Sequence, residues 1–163
     1  MSPMTKLPSL PLWGSAILAL SLVHCAPRRI PGTEIDDTSD TREILTLMDK
    51  YRQAVEAKNA DGVIALLDPS FDDDAGTSTP EDDVNYESIK QRLPEQFAQM
   101  EEVKLDLTVK KINLQRDGTA LAVYSYASSY KLPKIAPKPV NDSDLDQMVL
   151  KRVDGKWKIV SGI

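Results

Sequence analysis

At Val103 the spacing of apolar residues changes, and that change limits what the chain can fold into. Upstream, Ile44, Met48, Tyr51 and Val55 recur at helical spacing, with Leu47 and Ala54 beside them. Asp40-Thr41-Arg42-Glu43 before them predicts an N-cap with a capping box to Glu43. A second, shorter helix is expected after Asp61, carrying Val63, Ile64, Leu66 and Leu67 and stopped by Asp68-Pro69. A third is expected over 86–100, with Ile89, Leu93, Phe97 and Met100 on one side and Pro94 breaking or kinking it.

Downstream the period is two. Val103, Leu105, Leu107 and Val109 alternate with Lys104, Asp106, Thr108 and Lys110, and the apolar register then moves to Ile112 and Leu114. That shift predicts a β-bulge near Lys110-Lys111. Arg116-Asp117-Gly118 reads as a hairpin turn, 119–132 as a long strand and 133–144 as a proline-bearing loop. Strands 145–153 and 156–163, joined at Asp154-Gly155, close the meander, with Trp157 and Ile159 on one face. With 163 residues the chain has room for one domain. Helices first and an antiparallel meander second predict an α+β fold with helices on one face of a curved sheet.

The N-terminal segment has its own pattern. After Lys6 no formal charge occurs until Arg28, and an apolar run spans 10–23, the layout of a secretory signal. The run ends Ser21-Leu22-Val23-His24-Cys25, which resembles the lipobox of bacterial lipoproteins, with His24 where that family usually has Gly, Ala or Ser. The resemblance implies lipidation (diacylglycerol and palmitate-type acylation) at Cys25. It also implies an exported protein anchored to a membrane of the bacterial cell envelope, facing the periplasm or the cell surface. The expected division is a signal peptide over 1–24, a flexible tether over 25–39 and a folded domain over 40–163. The chain's one His and one Cys both lie at this junction. A mature domain without them has no Ser-His-Asp or Cys-His catalysis, no His- or Cys-ligated zinc and no disulfide.

Net charge narrows the partners. Twenty bases against twenty-five acids make −5, which disfavours nucleic acid. The acids crowd between Lys58 and Lys90, but Asp72, Asp74, Gly76 and Thr77 do not fit a calcium loop, so a solvated acidic loop and no metal are expected. The glycines never fall at phosphate-loop or dinucleotide spacings, and no cofactor is expected.

Two stretches resemble the NTF2-like superfamily, which includes SnoaL-like and ketosteroid-isomerase-like proteins. They are Leu47-Met48-Asp49-Lys50-Tyr51 continuing through Val63-Ile64-Ala65-Leu66-Leu67-Asp68-Pro69-Ser70-Phe71, and the closing Leu150-Lys151-Arg152-Val153-Asp154-Gly155-Lys156-Trp157-Lys158-Ile159. The resemblance covers about residues 41–163 and implies a cone, helices wrapped by a bent sheet, with a pocket at its open end. It implies pocket positions at Tyr51, Phe71, Asp74, Val149 and Trp157. In the isomerases a Tyr at the place of Tyr51 polarises a carbonyl, and an Asp near the place of Asp74 moves the proton. The second, protonated acid that such chemistry needs falls near Val149, which cannot donate, while Asp146 sits on the opposite strand face. The expectation is therefore a non-catalytic, membrane-tethered domain that binds a small apolar ligand or a protein partner. The alternative is a small SnoaL- or isomerase-type enzyme using Asp74 and Tyr51.

Strand 119–127 is apolar on both sides, so something must cover its second face. Leu121 and Val123 are expected on the helix side. Ala120, Ala122, Tyr124 and Tyr126 are expected outside, as the contact face of a homodimer.

Overall fold

The computed structural model describes residues 28–74 and 83–163. The lipobox with Cys25, and Glu81 and Asp82 of the acidic stretch, lie outside the described residues.

Helix α1 spans Ser39–Glu56. Its cap is Thr38 rather than Asp40: the Thr38 hydroxyl accepts from Thr41 N at 3.1 Å, and Thr38 N donates to Thr41 Oγ1 at 3.0 Å. Thr41 is buried, so its hydroxyl closes the box from inside, where the longer Glu43 side chain is not needed. Ahead of the cap, residues 28–38 are not an open tether. An antiparallel backbone β-bridge between Arg29 and Asp36 folds this stretch on itself, and Ile35 is only 1% exposed. One isolated apolar residue leaves no periodic trace, yet it shares a groove with Met48 and Leu107 and pins the segment to the domain.

Helix α2 is Ala60–Ile64, capped by Asn59 rather than Asp61 through Oδ1 accepting from Gly62 N at 2.9 Å. The acidic stretch holds two short strands, β1 (Asp72–Asp73) and β2 (Val84–Asn85), paired antiparallel. Asn85 caps helix α3 (Tyr86–Gln99), which runs unbroken through Pro94.

Strands β3 (Glu101–Leu114), β4 (Thr119–Lys131), β5 (Val140–Val153) and β6 (Lys156–Ser161) form one antiparallel sheet in that order. The predicted bulge is present, between Val109 and Lys111. The Asp154-Gly155 turn has both residues at positive φ, 49° and 77°, as a tight two-residue hairpin with right-handed twist requires. Strand β5 begins four residues before the expected end of the loop. Its first half is polar and shows no apolar alternation, but it pairs along β4 as far as Tyr130–Val140.

The sheet meets the helices on the face opposite to the one expected. Ala120, Ala122 and Tyr124 are 0%, 0% and 3% exposed, in one core with Ile44, Met48, Met148, Leu150 and Ile159. Leu121 and Val123 are the outward, half-buried residues of β4. The small Ala120 and Ala122 share this core with the larger methionines and leucines, which supply the volume. The proposed contact face of a dimer is thus the interior of the protomer, with Tyr126 packed partly buried at its edge.

Candidate functional site

Two adjoining cavities of about 270 and 290 Å3 open between the helices and the concave face of the sheet. Tyr51, Val55, Phe97 and Ile163 line both, so these four side chains form the waist of a two-lobed cleft. Each reaches it for a local reason. Tyr51 and Val55 are one turn apart on the inward stripe of α1, Phe97 lies on the buried stripe of α3, and Ile163 follows β6. The helix-side lobe adds Phe71, Ile89 and Leu93 as apolar wall, with Asp73 and Arg92 as its charged groups. The sheet-side lobe adds Leu105 and Leu107 from β3, three tyrosines from β4 (Tyr124, Tyr126 and Tyr130) and Asp146 from β5.

Alternation places these polar groups together. Tyr124 pairs with Asp146, Tyr126 with Asp144 and Ser128 with Asp142, so all six point to the concave side. The Tyr124 hydroxyl donates to Gly162 O at 3.0 Å, with Asp146 Oδ2 at 3.4 Å, and Tyr126 donates to Asp142 Oδ2 at 2.8 Å. Burial, and then the negative charge of Asp146 and Asp73, pushes the Tyr51 hydroxyl well above the ordinary phenol range. Burial followed by the Asp146 charge does the same to Tyr124. The hydrogen bond to Asp142, and then burial, pushes Tyr126 up to about 12. All three phenols therefore stay protonated across the neutral range.

Of the residues expected at the pocket, Tyr51 and Phe71 line it. Asp74 does not. It is exposed, and the acid that enters the cleft is its neighbour Asp73, because the β1–β2 pairing turns alternate residues to opposite sides. Asp73 Oδ2 accepts from Gly162 N at 2.7 Å and Ile163 N at 3.2 Å. Val149 does not line it either. It pairs with Leu121 on the outer face, since the sheet is turned over relative to the expectation. Trp157 belongs to the core and to a separate shallow groove with Arg42 and Lys50. Its ring lies 5.3 Å from the Arg152 guanidinium, and its buried Nε1 has no partner among the described residues.

Sequence reasoning missed the contribution of Asp146. The strand period correctly set it opposite to Val149, and the reversed sheet brings that opposite face to Tyr51. Arg92 and Ile163 carried no signal, because neither belongs to a motif. Among the described residues, no group of three His, Cys, Asp or Glu side chains is placed to hold a metal ion. No helix there is long and apolar enough to cross a membrane.

No protein family profile and no curated protein matches the chain. Solved structures do resemble it. A ketosteroid isomerase-like protein from Erwinia carotovora atroseptica superposes with a TM-score of 0.63 at 11% identity, over 77% of this chain and 95% of that one. A candidate dehydratase of the NTF2-like family from Streptomyces avermitilis gives 0.61 at 15% identity, covering 76% and 93%. A candidate scytalone dehydratase from Novosphingobium aromaticivorans gives 0.61 at 15% identity, covering 76% and 80%. At such identities the likeness speaks for architecture and leaves the chemistry to the site. The chain has the α+β, NTF2-like fold, and its described residues form three helices laid into a curved four-stranded antiparallel sheet.

Proposed function

We propose that the domain binds a small, mainly apolar molecule in the two-lobed cleft, with one polar group of the ligand held at the Tyr51 hydroxyl. We further propose that it works as an exported lipoprotein, tethered to a cell-envelope membrane through a lipid on Cys25. The observation that carries the binding reading is the position of Tyr51. It stands at the waist between two cavities whose walls are mainly aliphatic and aromatic side chains, and its hydroxyl stays protonated. An apolar cleft of a few hundred Å3 with a few convergent polar groups is the usual form of a small-molecule site. Only a ligand that spans the waist touches both lobes and Tyr51 together.

The test is a thermal-shift screen of apolar carbonyl and hydroxyl compounds, followed by titration of the hits. Tyr51→Phe should weaken a true hit about tenfold, the value of one buried hydrogen bond left unmade. Hits that bind Tyr51→Phe and wild type equally would remove Tyr51 from the site. For the anchor, Cys25→Ser should move the protein from membranes to a soluble exported fraction, and lipid labelling that persists in that variant would sink the assignment.

A second reading, a proton-moving enzyme of the SnoaL or isomerase type, draws on the placement of Asp146 on the Tyr51 side of the sheet. It would use Tyr51 as hydrogen-bond donor and Asp73 or Asp146, in place of Asp74, as the proton carrier. Asp73 is already engaged by the backbone of Gly162 and Ile163, which favours the binding reading. Proton exchange into a bound hit, abolished in Asp146→Asn or Asp73→Asn, would decide for the enzyme.

A further inference from the structure

The two lobes of the cleft differ in what they offer a ligand. In the sheet-side lobe two of the three β4 tyrosines have committed protons: Tyr124 donates to Gly162 O, and Tyr126 to Asp142 Oδ2. These side chains therefore present oxygen lone pairs and aromatic ring rather than donors. Asp146 lines the same lobe, and strand pairing sets Asp144 and Asp142 on the same face beyond it. Two cations border the cleft: Lys104, which lines the sheet-side lobe from β3, and Arg92, which lines the helix-side lobe. Lys104 pairs with Ser129, on the register that alternates with the concave-facing Leu105–Ser128 pair. The tyrosines report the field themselves, since carboxylates contribute to raising all three.

A pocket whose acceptors, rings and carboxylate outnumber its single lysine is complementary to positive charge. We propose that the sheet-side lobe takes the cationic end of the ligand, an ammonium group on an apolar body, seated among Tyr124, Tyr126 and Asp146. This rests on the cleft being a small-molecule site, as argued above. The apolar body would lie against Leu105, Phe97 and Val55, where the lobe is lined by hydrocarbon. An anionic ligand of the same shape is disfavoured, because Asp146 and the tyrosine oxygens would all repel it.

Three probes that share one body and differ in charge test this on the full chain: 4-phenylbutylammonium, 4-phenylbutanol and 4-phenylbutyrate. The ammonium should bind about tenfold tighter than the alcohol, the sum of a cation–π contact and one partly screened charge pair, and the carboxylate weakest. Asp146→Asn should remove most of that preference, bringing the ammonium affinity down close to that of the alcohol. In wild type, raising the salt concentration should weaken the ammonium and not the alcohol, a check that holds even if the variant folds poorly. Alcohol binding as tight as ammonium, or carboxylate tightest, would overturn the cationic assignment and leave the cleft as a binding site. If none of the three binds and apolar hits are also insensitive to Tyr51→Phe, the cationic assignment and the binding reading both fall.

Discussion

Asp73 and Gly162 are 89 residues apart, and a 2.7 Å hydrogen bond from the Gly162 N–H to Asp73 Oδ2 ties them together. Ile163 N reaches the same oxygen at 3.2 Å, so one carboxylate fixes the segment that forms the waist of the cleft. Asp73→Ala leaves two N–H groups without this acceptor. We expect a loss of about 2 kcal/mol by chemical denaturation, in the range of hydrogen bonds to a charged partner. Asp73→Asn, which keeps an acceptor oxygen, should recover about half. A neutral Asp73→Ala would mean that the segment holds its place without the latch.

Gly162 is bound to its position by space as well as conformation. Its φ is +84°, and a Cβ there would lie 2.0 Å from the carbonyl oxygen of Gln147. Backbone on the neighbouring strand cannot swing aside, so Gly162→Ala should cost well over 2 kcal/mol and disturb the waist. Gly118 has the same φ of +84° with nothing within 4 Å of its would-be Cβ. Gly118→Ala should therefore cost only the conformational term, about 1 kcal/mol. The difference between these two variants in denaturation midpoint separates steric from dihedral strain. Equal costs would show that crowding at Gly162 is relieved by movement of β5.

The orientation of the sheet makes an equally direct prediction. Tyr124 is 3% exposed among core residues, whereas Leu121, three positions earlier, points outward. Tyr124→Lys should destabilise the protomer by about 3 kcal/mol or more, as a buried unpaired charge replaces an aromatic ring. Leu121→Lys should change stability by less than about 1 kcal/mol. A folded Tyr124→Lys protein of near wild-type stability would restore the opposite orientation.

The same strand shows what was legible. The helices, the Val109–Lys111 bulge and the Asp154-Gly155 turn follow from period and turn chemistry, which are local. The face of β4 that meets the helices is not local, because Ala120, Ala122 and Tyr124 on one side and Leu121 and Val123 on the other are both apolar. Parity set Asp146 opposite to Val149, but parity does not choose which side is inside, and that choice carried the acid of the site with it. The first half of β5 was hidden for a related reason. Asp142, Asp144 and Asp146 stand on a strand held by backbone pairing to β4, not by burial of their own side chains. Tyr51 was legible because it shares the helical stripe of Ile44 and Met48. Asp73 was not told from Asp74, since the pairing with β2 that separates them bridges a long gap in sequence.

The tyrosines of the cleft give the domain a stability that depends on alkaline pH. Tyr126 has its pKa pushed up to about 12, chiefly because its hydroxyl donates to Asp142 at 2.8 Å. Its unfolded value is about 10. Where the folded pKa is the higher, the folded state holds the proton more tightly. The stabilisation is then complete below about pH 10 and is lost as pH rises to about 12. Tyr124 and Tyr51 are raised as well and extend the loss in the same direction. Unfolding free energy should fall steadily above about pH 10. In Asp142→Asn the carboxylate that holds the proton is gone, so Tyr126 should ionise at lower pH. Ultraviolet titration of tyrosinate absorbance, with Tyr126→Phe to assign the step, reads that shift directly. An unchanged Tyr126 step in Asp142→Asn would mean that burial, not the hydrogen bond, sets its ionisation.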